Sequence, residues 1–345
     1  MNKSWFEKIS FEFYKKKLMI FLIFLSIAFS LSLPVYKYFD TSNSVDPKSY
    51  LKMSQGDYDV NPTHRYRFVI PKMVKVIKPY IQKINFQISG EQNDIENFYT
   101  ERLGFFIVNL TISSITAYYT FFYLKSLGFC YLNSLVGGIL FLSNRYVILS
   151  NGAPLIDSLQ YLCLILYSSY LLNKETIKIS FLLPIMGIAK ETLIPLILVP
   201  FFERKINKKF IFFSIIISIV LLVFIRSHIN NSDYEITKNL YQDVFEHLIK
   251  FPKRISVIFS IKGFLKIFST YGVLLIFSII GFFVNEKEKD FVIPNNIKLL
   301  VPYSISLCFL SNDTGRLISI AFPVIIPYSL YFINKKILIN KFIFR

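Results

Sequence analysis

Four short polar segments interrupt a strongly apolar chain, and they hold the residues that could do chemistry. They are 46–59 with Arg65 and Arg67, then 151–157, then 190–191, and finally 313–316. Together they supply carboxylates, which can accept a proton from a hydroxyl group, and basic side chains, which can hold a phosphate. Sugar transfer from a lipid-linked phosphosugar needs both functions beside a bilayer. The four segments therefore form the candidate site.

Each segment also has a purely structural interpretation. Asp46 precedes a proline and could be a turn residue, and Asp157 follows Gly-Ala-Pro and could cap a helix. The pair at 190–191 could be a solvated turn. Asp313 and Arg316 are three residues apart and could form a local ion pair at a helix start. Asp57 and the other carboxylates of the first polar segment could simply be solvated.

The histidines and cysteines indicate neither a metal site nor a disulfide framework. No ligand-like spacing relates the three histidines, which are His64, His228 and His247. An odd number of widely spaced cysteines inside apolar segments is typical of membrane-buried thiols, and this applies to Cys130, Cys163 and Cys308. A divalent cation could bind among the acids of the first polar segment, but no spacing requires one. The residues thus require no cofactor and leave a divalent cation possible.

The composition is that of a membrane protein. Of the 345 residues, 53% are hydrophobic and 18% are charged, against about 25% charged in globular proteins. The net charge of +17 comes from Lys and Arg that mostly flank apolar blocks, where such residues fix membrane orientation. No DNA-binding or RNA-binding motif accompanies them. These features exclude a disordered chain and predict no nucleic-acid partner.

Eight apolar blocks are long enough, or nearly so, to cross a bilayer, which takes about 20 residues. They are 18–33, 103–124, 127–149, 155–172, 210–225, 268–284, 297–310 and 317–333. The first block could also be a cleaved signal peptide, because residues 28–30 make a tolerable cleavage pattern. The sequence thus predicts an all-α polytopic bundle of about eight full spans, with 1–345 as a single integral membrane domain.

The apolar stretch 177–202 is predicted to fold back as a hairpin of two half-length helices that turns at Lys190-Glu191. A single pass would leave both charges at mid-membrane, where each costs about 2.5–3.5 kcal/mol. The hairpin also keeps the basic residues at 174–178, 204–209 and 335–345 on the cytoplasmic side, together with both termini. All four polar segments then lie on the exterior face.

Two long exterior loops, 38–102 and 226–267, are each predicted to contain a surface helix. In the first, apolar residues recur at helical spacing over 66–84 and lysines fill the other side, which should face lipid phosphates. The second candidate is 236–251, which ends before Pro252.

The polar segments resemble motifs of the GT-C superfamily of polytopic membrane glycosyltransferases. The similar segments are 46–50 with Gly56, then 67–71, 154–157, 189–192, and 313–316 leading to Pro323. They follow one another in order over most of the chain. The resemblance implies a multi-span helical fold in the bacterial cytoplasmic membrane, with surface helices in the first exterior loop. It also implies sugar transfer from a polyprenyl-phosphate donor on the non-cytoplasmic side.

The same resemblance suggests roles for individual residues. Asp46 occupies the position of the acidic residue that the first exterior loop contributes to catalysis, so it is the candidate base, and Asp57 is the reserve. Three cations become candidates for donor phosphate contacts, namely Arg67, Lys190 and Arg316. Asp157 and Glu191 would orient those cations or the sugar hydroxyls, and Asp313 is a further candidate for substrate binding.

The chain departs from better-known members of the superfamily because it ends at 341–345, just after the last predicted span. Without a soluble carboxy-terminal domain, a large protein acceptor would have little surface to bind. We therefore expect a glycolipid or nascent polysaccharide of the cell envelope as the acceptor. Two rival functions use the same residues differently. A transporter or flippase of an envelope precursor would use them as a polar pathway, and a catalytically silent assembly partner would not need them.

Overall fold

The computed structural model describes residues 3–41, 44–89, 94–203, 205–229, 249, 252, 254–310 and 313–343. Throughout these residues the chain forms helices, turns and bends, and no strand. The all-helical class that the sequence predicted is therefore confirmed.

The described residues up to 189 form nine helices, of which the second, third and fourth lie wholly within the predicted first exterior loop. They are α1 (Lys3–Tyr38), α2 (Val45–Gln55), α3 (Pro62–Arg65), α4 (Val69–Ser89), α5 (Asp94–Ser126), α6 (Tyr131–Leu142), α7 (Arg145–Gly152), α8 (Asp157–Asn173) and α9 (Thr176–Ala189).

The second half begins with a 3-10 helix, Glu191–Phe202. The helices that follow are α10 (Lys208–Ile229), α11 (Ile261–Tyr271), α12 (Val273–Glu288), α13 (Asn295–Lys298), α14 (Leu300–Leu310), α15 (Thr314–Ile318) and α16 (Phe322–Ile343). A short 3-10 turn, Ser319–Ala321, joins α15 to α16.

Four stretches of the described chain are long and apolar enough to cross a membrane: Lys16–Tyr38, Tyr99–Ser126, Lys208–Ile229 and Thr314–Lys335. Two bent pairs raise the number to six if each is one span. The α6–α7 pair bends by 60° and the α11–α12 pair by 83°. These helices are those of a multi-pass membrane protein. The predicted eight spans are not confirmed, because 155–172 and 297–310 yield helices α8 and α14 of only 17 and 11 residues.

Local sequence explains both bends. Between α6 and α7, the side chain of Asn144 accepts a hydrogen bond from the backbone N–H of Tyr146 (2.9 Å), which starts a new helix. Between α11 and α12, Gly272 has φ 55° and ψ −134°, a conformation that residues with a side chain rarely adopt.

Residues 176–207 fold back on themselves, as predicted. Lys190 is extended between α9 and the 3-10 helix, and the backbone N–H of Asn207 donates to Oγ1 of Thr176 (3.3 Å), so the segment ends beside its start. Pro195 and Pro200 lie inside the returning half. Proline removes a backbone donor and clashes with an α-helical turn, so this half forms the tighter 3-10 helix.

A second hydrophobic cluster fixes the helices of the first long loop to the bundle. It is separate from the large core between the apolar helices, and it contains Tyr50, Met53, Ile70, Val74, Phe105 and Leu155 among others. These residues belong to α2, α4, α5 and the turn before α8. The first loop is therefore packed onto the ends of the apolar helices, which determines where α2 presents its polar side chains.

Helix α4 corresponds to the first predicted surface helix. Its apolar residues Ile70, Val74 and Ile81 are buried, whereas Met73 and Ile84, predicted on the same stripe, are exposed. One of the lysines expected to face lipid does not: Lys78 donates to Oε1 of Glu101 on α5 (2.7 Å). The hidden carboxylate of Glu101 redirects this lysine inward. The second predicted surface helix, 236–251, lies almost wholly outside the described residues.

The cysteine prediction needs one correction. Cys163 and Cys308 are buried, but Cys130 is exposed, because α5 ends at Ser126 and the residues that follow form a turn before α6. The predicted apolar block 127–149 thus begins outside a helix.

The exposed thiol provides a test of the predicted orientation, which places the α5–α6 turn in the cytoplasm and the α6–α7 turn outside. We expect a membrane-impermeant maleimide to label the native protein only from the cytoplasmic side, at Cys130. A variant with Cys130→Ser and Arg145→Cys should be labelled only from outside, since residue 145 is exposed at the other turn.

Cys130→Ser alone is the control and should remain unlabelled, because the other two thiols are buried. Labelling of residues 130 and 145 from the same side would contradict the predicted topology.

Candidate functional site

Asp46 lies in the first turn of α2, where a carboxylate interacts favourably with the helix dipole. The proline that follows is tolerated because the first turn of a helix lacks intrahelical donors to lose. Buried Tyr50 and Met53, four and seven residues further along α2, lie on the same side of the helix and anchor it in the second hydrophobic cluster. The carboxylate is thereby held at the junction of the loop and the bundle, with 26% of its side chain exposed.

Arg316 on α15 joins three carboxylates. Its Nη1 donates to Oδ2 of Asp46 (2.8 Å) and to Oδ2 of Asp313 (2.9 Å), and its Nε donates to Oδ2 of Asp157 (2.9 Å). A guanidinium group has five N–H donors in a planar fork, so a single arginine can serve all three. The ion pair between Asp313 and Arg316 that the sequence suggested does form, but it is one part of a larger network.

Asp157 and Lys190 form the innermost pair. Nζ of Lys190 lies 2.5 Å from Oδ1 of Asp157, and the two side chains are 7% and 3% exposed. Asp157 is the first residue of α8 and the N-cap position belongs to Ile156, while Lys190 is buried at the tip of the folded-back segment. The capping role and the solvated turn considered from sequence are therefore both wrong. Asp157 is instead paired with two cations.

Arg67 forms a third connection between the loop and the hairpin tip. Its Nε donates to Oε2 of Glu191 (2.9 Å) and its Nη1 donates to the hydroxyl of Tyr50 (3.1 Å). Burial would lower the pKa of Arg67, but the neighbouring Tyr50 and Glu191 raise it overall. The guanidinium therefore stays charged.

The structure thus brings together seven of the eight predicted site residues: Asp46, Arg67, Asp157, Lys190, Glu191, Asp313 and Arg316. They come from all four polar segments, which are far apart in the sequence. We call these seven side chains the charged cluster.

Asp57, the reserve base, lies outside the charged cluster. Its carboxylate accepts from the backbone N–H of Asp59 (2.8 Å) and lies 3.9 Å from Nζ of Lys52, with nearly half of its side chain exposed. These are contacts of a turn that follows α2. A carboxylate held there interacts with its own loop and not with the cations of the site.

Sequence reasoning missed His64, Ser49 and Tyr146. His64 was judged only as a metal ligand, yet its Nε2 lies 3.1 Å from Oδ1 of Asp46. Its position three residues before Arg67, inside the first polar segment, was the available signal. Tyr146 packs against Gly315, where an added Cβ would lie 2.0 Å from the Tyr146 hydroxyl. No pattern in the sequence links those two residues.

The electrostatics of Asp46 keep it ionised. Burial would raise the pKa of Asp46, but the hydrogen bond with His64 and the charge and hydrogen bond of Arg316 outweigh it and hold the pKa well below its usual range. Ionised Asp46 therefore stabilises the fold above about pH 4, the ordinary value. That stabilisation is lost as the pH falls through the lower folded-state pKa. Nearby, burial raises the pKa of Tyr50 to about 12 although the charge of Arg67 opposes the rise.

The charged cluster is closed on one side and open on the other. Asp157 and Lys190 are inaccessible, whereas Asp46, Glu191 and Asp313 are partly exposed. A cleft begins at Glu191 and is lined by Tyr66, Gly187, Ile188, Leu222 and Ile225. The last two belong to α10, most of whose apolar side chains are exposed. The cleft thus lies between Glu191 and α10.

No group of three or more His, Cys, Asp or Glu side chains among the described residues is placed to hold a metal ion. Comparisons of the chain with known protein families, with curated proteins and with solved structures give no match. The geometry of the charged cluster is therefore the basis for a functional proposal.

The buried pair provides a stability test. Lys190→Met should lower the free energy of unfolding by about 3 kcal/mol, because it leaves a buried carboxylate with one cation fewer. The measurement is the apparent melting temperature of the detergent-purified protein, which should fall by several degrees.

Lys178→Met is the matched control on the same hairpin. Lys178 pairs with Glu175 at 2.9 Å but is 58% exposed, and exposed pairs contribute little to stability. Equal melting temperatures for the two variants would show that the Lys190 pair does not stabilise the fold.

Proposed function

We propose that this chain is a GT-C-type membrane glycosyltransferase with about eight spans. It would move a sugar from a polyprenyl-phosphate donor to a glycolipid or polysaccharide acceptor of the cell envelope, on the non-cytoplasmic face of a bacterial cytoplasmic membrane. The observation that carries the proposal is the bond between Arg316 and Asp46 (2.8 Å), which places a partly exposed carboxylate beside cations suited to phosphate.

Asp46 is the proposed base. As the acceptor oxygen bonds to the anomeric carbon, its hydroxyl proton passes to the Asp46 carboxylate, and the bond between the sugar and the phosphate breaks with its electron pair on the phosphate oxygen. Asp46 is suited to this role because it is ionised, partly exposed and joined to the rest of the charged cluster.

The cations of the cluster can accept a phosphate only by exchanging partners, since each already contacts a carboxylate. Nη1 of Arg316 is the best placed donor for this exchange, because its two carboxylate partners, Asp46 and Asp313, are themselves partly exposed. A phosphate oxygen can replace a carboxylate oxygen there without leaving a buried charge unpaired. We therefore assign the first phosphate contact to Arg316.

Phosphate binding at Arg316 would also change Asp46. The charge of Arg316 helps to keep the pKa of Asp46 low, and a carboxylate with so low a pKa is a weak base. A phosphate that takes over the guanidinium would raise the pKa of Asp46 and make it a better proton acceptor. Donor binding and base activation are thus linked through one side chain.

A lipid-linked donor agrees with the surroundings of the cluster. Glu191 lines a small cleft together with Leu222 and Ile225 of α10, a helix most of whose apolar side chains are exposed, so a phosphate at the cluster and a hydrocarbon chain along that helix could lie close together. The charged residues also sit at helix ends and at a hairpin tip, whereas a transport pathway would place them near the midplane between repeats. This position favours an enzyme over the transporter.

Asp46→Asn should abolish sugar transfer in reconstituted vesicles, with a loss of at least about hundredfold, while membrane insertion stays unchanged. The amide has nearly the shape of the carboxylate but cannot accept the proton. The assay supplies polyprenyl-phosphate-linked sugars and follows both sugar transfer and donor consumption.

Asp57→Asn is the matched control, since it changes the same residue type in the same loop outside the charged cluster, and it should retain activity. Full activity of Asp46→Asn would remove the proposed base. Movement of the intact lipid-linked sugar across the bilayer without transfer would instead support the transporter.

A further inference from the structure

His64 makes two side-chain contacts that the proposed reaction has not yet used. Its Nε2 lies 3.1 Å from Oδ1 of Asp46, and its Nδ1 lies 3.0 Å from Oγ of Ser49. The ring also contacts that of Tyr50, with centroids 5.4 Å apart. The imidazole is buried, with 9% of its side chain exposed. A histidine with both nitrogens engaged in this way has one orientation.

The protonation of the ring follows from its partners. Ionised Asp46 can only accept a hydrogen bond, so Nε2 of His64 must carry a proton and donate it. Nδ1 faces a serine hydroxyl, which can either donate or accept. Neutral His64 accepts from Ser49, and charged His64 donates to it. The contact with Asp46 is therefore kept in both states of the histidine.

We infer that His64, held by Ser49, is a positioning residue for Asp46. This inference rests on the proposed function. The hydrogen bond to Oδ1 fixes one carboxylate oxygen, so the other, Oδ2, points at Arg316 and the open side of the cluster. In the reaction the acceptor proton goes to Oδ2, while Nε2 of His64 keeps its proton and its contact.

The charged and titratable groups around this pair come from three parts of the fold. Asp46 and Tyr50 lie on α2, Arg67 follows α3 and bonds Tyr50, and Arg316 comes from α15. Asp157 and Asp313 lie beyond Arg316. Because Arg316 remains in place when His64 is changed, a variant at residue 64 removes one of the two partners that keep Asp46 ionised.

The test follows the pH at which Asp46 becomes protonated in the full-length protein in lipid vesicles. Infrared difference spectra report the carboxylic acid band, and its loss in Asp46→Asn assigns it. His64→Leu should raise this pH by about one to two units, since a hydrogen bond to a charged group contributes about 1.5–3 kcal/mol. His64→Gln, whose amide can still donate, should stay near the native value.

Two further variants complete the experiment. His228→Leu is the matched control, because His228 is exposed on α10, far from Asp46 in the sequence, and its ring contacts Ser227 and Phe224 of its own helix. Ser49→Ala should cause a smaller shift in the same direction as His64→Leu. If His64→Leu does not insert into membranes, the other two variants decide the question. A higher protonation pH of Asp46 in Ser49→Ala than in His64→Gln supports the inference, and equal values contradict it.

Kinetics separate positioning from binding. With a polyprenyl-phosphate sugar that supports transfer, His64→Leu should lower kcat about tenfold or more and leave KM for the donor nearly unchanged. His64→Gln should restore most of kcat. The inference would be overturned if Asp46 became protonated at the same pH in His64→Leu as in the native protein, or if His228→Leu shifted that pH as much as His64→Leu does. Full sugar transfer by Asp46→Asn would instead overturn the proposed function. The infrared measurement of Asp46 protonation needs no sugar transfer, so the two failures can be told apart.

Discussion

A buried charge is stable in a membrane protein only when it is paired, and the position of Asp157 depends on this constraint more than on any other. Its carboxylate is almost inaccessible and binds both Lys190 and Arg316. One partner is at the tip of the folded-back segment and the other is on α15. Removing either would leave charge uncompensated at a site of low polarity. The start of α8 therefore determines where two distant parts of the chain must meet.

Hydrophobic packing brings the first long loop to that meeting point. The second hydrophobic cluster holds α2 and α4 against α5 and the turn before α8. Glu101 strengthens the attachment, because it is fully buried and accepts from Gln55 on α2 (2.9 Å) and Lys78 on α4 (2.7 Å). Apolar burial sets the position of the loop, and paired charges set its orientation. Asp46 reaches Arg316 as the result of both.

The sequence predicted those features that depend on local pattern or on the membrane. Apolar blocks gave the helices, and the cost of Lys190 and Glu191 at mid-membrane gave the fold-back. Placing the polar segments on one face anticipated that Asp46, Asp157 and Arg316 could meet. The sequence could not predict contacts that arise from tertiary packing. His64 is a partner of Asp46 only because α3 packs beside α2. Lys78 points inward only because it pairs with the buried carboxylate of Glu101 on α5.

The sharing of Arg316 by three carboxylates has a consequence for the proposed reaction. In the structure the guanidinium is surrounded by negative charge, so an anionic donor must displace at least part of that set. Asp157 is buried and also bound to Lys190, which makes it the hardest to displace, whereas Asp313 and Asp46 are partly exposed. A phosphate would therefore compete first with those two. Because Asp46 is also held by His64, its release from Arg316 would leave it oriented rather than free. The contact with Arg316, which weakens Asp46 as a base before the donor arrives, would then make the activation of Asp46 conditional on donor binding.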